Sequence, residues 1–200
     1  LFTHAAAQNL NTYEKPTEAH QLIRGTNVSM IPPPGFVQSS NMKGFQNPED
    51  PTSMIMLIEI PGPYSEIVGG FTAEQMLTKN MVLLEKQEVK LGGFDGLLLA
   101  IDQEANGMFF SKWLLVYGDA SKTTMINTVY VKDSVVLGEQ MKACLQSTVF
   151  DQGVSANPRE NLDFTLDETR GDLQFCAVMG NGMVFSRDGK LPTDHPDKVA

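Results

Sequence analysis

Between Met81 and Val131 the chain alternates four apolar-rich runs with short polar breaks. The runs are Met81–Leu91, Phe94–Glu104, Met108–Gly118 and Thr123–Val131. Their length and β-branched or aromatic content predict strands. Gly92-Gly93 makes the first turn and Asp119–Lys122 the third. Asn106-Gly107 is a two-residue hairpin signal, because both positions tolerate positive φ. Connections this short force antiparallel neighbours, so the pattern predicts a continuous four-stranded meander. Leu97-Leu98-Leu99 and Trp113-Leu114-Leu115-Val116 interrupt the alternation, which places them on central strands covered on both faces.

Upstream, residues 8–26 are polar and contain Pro16. They read as a leader or linker with at most one helical turn, over Thr17–Arg24. Order begins with a short strand around Val28 and Met30, stopped by Pro32-Pro33-Pro34-Gly35. Phe36 and Val37 resume extended structure, and residues 40–52 have loop composition. Ser53–Ile60 predicts a strand that is apolar on both parities except at Glu59, ended by Pro61-Gly62-Pro63. A helical turn is expected at Tyr64–Val68. Thr72-Ala73-Glu74-Gln75 is a capping box, and Phe71 with Met76 matches a hydrophobic staple, so a helix is predicted from there to about Asn80.

Downstream, Asp133 or Ser134 opens a predicted helix that runs to Val149. Leu137, Met141, Cys144, Leu145 and Thr148 recur at helical spacing and form its buried stripe, with Glu139, Gln140, Lys142 and Gln146 facing water. Residues 151–161 read as a linker. Leu173–Met179 and Met183–Arg187 flank Asn181-Gly182, a second hairpin signal. Two strands cannot bury an apolar face alone. The expectation is therefore a hairpin that docks on the main body or opens a second sheet unit continuing past Ala200. The division expected is 1–26 leader or linker, 27–150 the α+β domain, 151–161 linker and 162–200 the hairpin segment.

Composition narrows the class. The 200 residues are 42% hydrophobic and 20% charged, an ordinary globular balance. The longest apolar runs, Leu97–Ile101 and Met54–Ile58, are too short to span a bilayer as helices. Twenty-four acidic against 15 basic residues give a net charge of −9. The basic residues are scattered (Lys86, Lys90, Lys112, Lys122) and form no phosphate-tracking stripe, so nucleic-acid binding is not expected. Ala5-Ala6-Ala7 before Gln8 fits the small-residue site of a secretory signal, which points to export to a periplasmic or extracellular space, with a cytoplasmic location as the alternative.

No residue pattern carries a recognisable chemistry, so no catalytic residue, metal ligand or cofactor is expected and the ligand-binding residues are unknown. His4, His20 and His195 have no ligand spacing and read as solvated surface groups. Cys144 and Cys176 have no metal spacing; they read as free thiols, with a single bridge open as the alternative. Asp102 and Glu104 share one strand face beside a turn, and Asp167, Glu168 and Asp172 cluster without calcium-loop spacing. Gly180-Asn181-Gly182 is followed by strand-like residues rather than the helix a phosphate cradle needs. Trp113, in an apolar run, reads as core. Asn27-Val28-Ser29 is a glycosylation sequon that matters only on a eukaryotic secretory route.

The order strand, strand, strand, helix, four-strand meander, long helix resembles the Mog1/PsbP-like fold. The features that carry the resemblance are the strand entering Pro-Gly (Val28–Phe36), the capped helix at Phe71–Asn80 and the turn Gly92–Gly96. Phe110–Trp113 opening an apolar strand and the closing helix Ser134–Val149 complete it. The resemblance covers about residues 27–150. It implies an α+β fold, an antiparallel β-sheet flanked by helices, with a C-terminal β-hairpin segment beyond it. The family includes a photosystem accessory protein, a nuclear-transport GTPase-binding protein and many bacterial exported proteins. It implies a non-enzymatic exported binding or accessory module with a protein or small-ligand partner. An enzyme with an unrecognised polar active site is the alternative.

Overall fold

The computed structural model describes residues 8–151, 153–154, 156–162, 164–168, 171–179, 182–191, 193 and 198–199. Five short strands and one long one come first: β1 (Gln8–Asn9), β2 (Gln21–Leu22), β3 (Val28–Met30), β4 (Val37–Gln38), β5 (Gly44–Asn47) and the long β6 (Asp50–Pro61). Helices α1 (Tyr64–Val68) and α2 (Ala73–Leu77) follow. The meander is β7 (Met81–Leu91), β8 (Phe94–Ala105), β9 (Met108–Gly118) and β10 (Lys122–Val131). After it come α3 (Val135–Gln146), β11 (Val149–Phe150), a 3-10 turn at Pro158–Asn161, β12 (Gln174–Met179), β13 (Gly182–Ser186) and β14 (Lys198–Val199).

The expected meander is present and antiparallel throughout, with Leu98 opposite Leu115 and Leu115 opposite Ile126. It is the centre of an eight-stranded sheet, ordered β1-β7-β8-β9-β10-β6-β5-β4. β6 pairs antiparallel with β10, setting Leu57 opposite Ile126. β1 is the one parallel addition in this sheet, beside Val89 and Lys90.

Both faces of the central strands are buried, as the broken alternation requires. On one face Leu98, Trp113, Leu115 and Ile126 pack under α3 with Met141, Cys144 and Leu145. On the other, Leu97, Leu99, Ile101, Leu114 and Val116 are covered from the α1–α2 side by Met76, Tyr64, Val68 and Phe71. The close seat of α3 depends on Gly138: a Cβ there would lie 2.8 Å from the Tyr130 hydroxyl. The Thr72 hydroxyl accepts from the Gln75 N–H at 3.2 Å, the cap the sequence predicts, and Met76 is buried as the staple requires.

Several elements differ from expectation. Residues 8–26, expected as a leader or linker, supply β1, β2 and the buried side chains Leu10 and Ile23. Their sparse apolar residues find a ready-made core, which a local window cannot show. The chain makes a turn at Thr17–His20 and then pairs as a strand with β3, rather than forming a helical turn over Thr17–Arg24. Residues 40–52, expected as a loop, contain β5, whose Gly44 (φ 142°) lets the strand press against the Ile55 carbonyl, 1.9 Å from where a Cβ would sit. The last helix ends at Gln146 rather than Val149. Ser147 breaks it there, its hydroxyl donating to the Cys144 carbonyl and accepting from the Ile31 N–H, and Val149–Phe150 pair with β3 instead.

The carboxy-terminal hairpin is β12 with β13, joined by β14 into a three-stranded sheet. The Phe175 and Phe185 rings meet edge to face at 5.9 Å, and the Arg159 guanidinium lies over Phe175. Gly180 and Asn181 lie outside the described residues, but Met179 opposite Gly182 makes the connection a hairpin. In the 3-10 turn ahead of this hairpin, Glu160 accepts from the Gly25 N–H at 3.2 Å, a direct tie to the main body.

The cap at Thr72 predicts a measurable cost. Thr72→Ala is expected to lower stability by about 1 kcal/mol, and Thr72→Ser to restore most of it. Unchanged denaturant midpoints for Thr72→Ala would show that this helix start does not depend on its cap.

Candidate functional site

A cavity of about 380 Å³ opens at the end of the sheet where the meander makes its first and third turns. Gly92 comes from the first turn, Gly118, Asp119 and Lys122 from the third, and Leu57 and Glu59 from β6. The small sheet β2–β3–β11 closes it with Asn27, Val28 and Phe150. The position follows from local chemistry. Gly92 has φ 56°, and a Cβ there would lie 2.4 Å from the Phe150 ring, so only glycine lets the turn pass this close.

One wall is aromatic. Phe94, Tyr117 and Phe150 contact one another with centroids 5.5 to 6.1 Å apart, all tilted or edge-to-face. The polar side is built on Glu59, the one charged residue in an otherwise apolar run. Its two oxygens accept separately from Lys43 and Lys122, each at 2.9 Å. Burial works to raise the Glu59 carboxyl, but the hydrogen bonds from Lys122 and Lys43 outweigh it and hold the group below its ordinary value. Lys43 is itself buried, so breaking this clamp would leave its ammonium without a charged partner in a desolvated site. Asp119 accepts from the Ser121 hydroxyl and N–H and from the Lys122 N–H, which pins the third turn.

Tyr117 is 4% exposed, and its hydroxyl lies beside Thr124 without a hydrogen bond of normal geometry among the described residues. Burial pushes the phenol well above its ordinary value, so it stays protonated and available as a donor. A buried hydroxyl left unpaired costs about 1–3 kcal/mol. The cavity thus combines an apolar wall, a fixed carboxylate and a partly exposed ammonium on Lys122, with the unpaired Tyr117 hydroxyl buried beside it.

The groups singled out from sequence lie elsewhere. His4 and His195 are outside the described residues. His20, expected as a solvated side chain, is a structural tie: Nδ1 accepts from the Thr17 N–H and Nε2 then donates to the Ser147 carbonyl, both at 3.0 Å. Asp102 and Glu104 do share a strand face, but Asp102 is bonded to Lys132 and Ser111 at 2.7 Å each, which accounts for its lowered pKa against a raising contribution from burial. Glu168 pairs with Arg159. Among the described residues no three His, Cys, Asp or Glu side chains group as a metal site. Trp113 is core, with the Lys142 ammonium 4.2 Å from its ring centroid. Cys144 and Cys176 are both free, and burial raises the Cys144 thiol far from reactivity. Of the sequence candidates only Asn27 reaches the cavity, as part of its rim. Lys43, Glu59, Tyr117 and Phe150 were not singled out as a site. The one signal was the lone carboxylate in the apolar run of β6.

No family model matches the chain, and no curated protein matches it. Among solved structures, cyanobacterial PsbP (CyanoP) from Synechocystis sp. PCC 6803 is 10% identical, with 68% of this chain and 94% of that one covered at a TM-score of 0.47. LpqN, involved in cell envelope biogenesis of Mycobacterium tuberculosis, is 16% identical, covering 62% and 83% at 0.46. A Bacteroides thetaiotaomicron protein is 17% identical over 68% of this chain at 0.44, and the chain spans half of that protein's length. No described helix is long and apolar enough to cross a membrane.

The clamp predicts an acid-side signature. A carboxyl with a depressed pKa contributes stability above its unfolded value, and the contribution is lost as pH falls through the folded value. Wild-type stability should therefore decline as pH drops below the ordinary glutamate value of 4.5. Glu59→Gln should flatten that decline and cost about 3 kcal/mol at pH 7, because Lys43 loses its partner. Parallel pH–stability curves for the two proteins would rule the clamp out as a stabilising pair.

Proposed function

We propose that this chain is a non-enzymatic binding module, working outside the cytoplasm, that holds a small ring-bearing ligand with one hydrogen-bond acceptor in the cavity beside Phe94, Tyr117 and Phe150. The observation that carries the reading is the buried, unpaired Tyr117 hydroxyl on an apolar-walled cavity. A protein that gained nothing from this hydroxyl would be more stable with phenylalanine there. The rings offer a flat wall for stacking, and Tyr117 and Lys122 offer donors to an acceptor group. Binding rather than catalysis fits the same groups. Glu59 is held charged by two lysines and so is a poor proton donor, and Tyr117 is held protonated and so is a poor base. Export is supported by Ala5-Ala6-Ala7 before Gln8.

Tyr117→Phe separates stability from binding. It should raise stability by about 1 kcal/mol, since the unpaired hydroxyl is removed. Fragments carrying a ring and a carbonyl, detected by NMR shifts at Phe94, Tyr117 and Phe150, should bind about tenfold more weakly to it. Equal fragment affinity for both proteins would remove the site, and turnover of a bound fragment would make it an active site. Amino-terminal sequencing of protein recovered from the native host should begin at or near Gln8; a start upstream of Leu1 in the cytoplasmic fraction would contradict export.

A further inference from the structure

The opposite end of the main sheet carries a different surface. Of eleven large apolar side chains exposed among the described residues, eight lie there, where β7 begins, β8 turns into β9 and β10 leads into α3. Leu77, Val82, Leu84 and Phe109 line one open groove of about 740 Å³. Register explains how they meet. Val82 pairs with Asp102 and Phe109 with Glu104, so all four share the α3 face of the sheet, while the irregularity between Leu83 and Glu85 turns Leu84 into the groove. Val135 and Val136 stand at the first turn of α3, each 73% exposed. Apolar side chains scattered singly need no explanation, but a concentration of this kind marks an interaction surface.

Charge says what covers it. Asp102, Glu104 and Lys132 line the groove, and Asp102 is already paired with Lys132 at 2.7 Å. Glu104 makes no ion pair among the described residues and leaves the groove with an excess negative charge. The exposed Glu85 and Asp133 flank it with the same sign, against the exposed Lys79 between Leu77 and Asn80. The whole chain carries −9. Two copies meeting through this end would bring like charges together, whereas a basic partner meets an attractive field and an apolar floor.

We propose that this end of the sheet docks a protein partner through an apolar segment flanked by lysine or arginine. The surface is separate from the cavity at the other end, so the proposal stands whether or not a small ligand binds there. The test uses the whole chain and two synthetic peptides with the same Leu-Phe-Leu centre, one flanked by two lysines on each side and the other by two glutamates. Backbone NMR shifts with the lysine peptide should centre on Leu77, Val82–Leu84, Phe109 and Val135, and the glutamate peptide should bind at least tenfold more weakly. Leu84→Ser with Phe109→Ser should weaken the lysine peptide at least tenfold, and Tyr117→Phe should leave its affinity unchanged. Glu104→Lys changes one exposed charge without touching the apolar floor and should weaken the lysine peptide alone. Equal affinity for the two peptides, or shifts centred elsewhere, would overturn the proposal. So would concentration-dependent dimerisation of the chain that the Leu84 and Phe109 changes abolish, since the surface would then belong to a second copy.

Discussion

Everything in this fold follows from the need to bury both faces of β8 and β9. Leu98 and Leu115 point one way while Leu99 and Val116 point the other, and each is essentially inaccessible to water. Fully burying a side chain of this size is worth about 2 kcal/mol, so leaving either face open would forfeit several times that amount. The meander alone can satisfy neither face. α3 covers one, the short α1 and α2 contribute to covering the other, and β6 and β1 extend the sheet on either side of the meander. The amino-terminal segment is drawn into the same solution, contributing Leu10 and Ile23 to the α3 side.

The covers are shorter than what they cover, and that mismatch makes the two surfaces of interest. α3 has 12 residues, about 18 Å of helix, while β8 has 12 residues in extended form, about 40 Å. A helix of that length leaves sheet uncovered in any orientation. At one end the gap is roofed by β3 and β11 and becomes the cavity beside Tyr117. At the other end nothing among the described residues closes it, and Val82, Leu84 and Phe109 stay open to solvent.

The polar groups at the two ends are balanced differently. At the cavity, one carboxylate is shared by two ammonium groups, and the buried Lys43 makes the arrangement costly to break. At the open end, the Asp102–Lys132 pair consumes the cation of the groove and leaves Glu104 over. The first end holds its charges paired, and the second leaves one carboxylate over.

The amino-acid sequence by itself determined the meander, because Gly92-Gly93, Asn106-Gly107 and Asp119–Lys122 act within a few residues of where they stand. It determined the capped helix at Thr72 and the apolar stripe of α3 for the same reason. It also marked Glu59 as out of place in an apolar strand. Tertiary structure alone decided that residues 8–26 belong to the core and that residues 40–52 hold a strand. Their side chains are too few to signal burial until a sheet exists to receive them. It alone brought Lys43, Lys122 and Tyr117 to Glu59, across separations from 16 residues upward that no spacing rule spans. The same is true of the apolar end, where Val82 and Phe109 each read as one half of an ordinary alternation. Which of those halves stays uncovered depends on where α3 begins, and that is set by the turn after β10, where the Lys132 N–H donates to the Phe109 carbonyl before the helix starts at Val135.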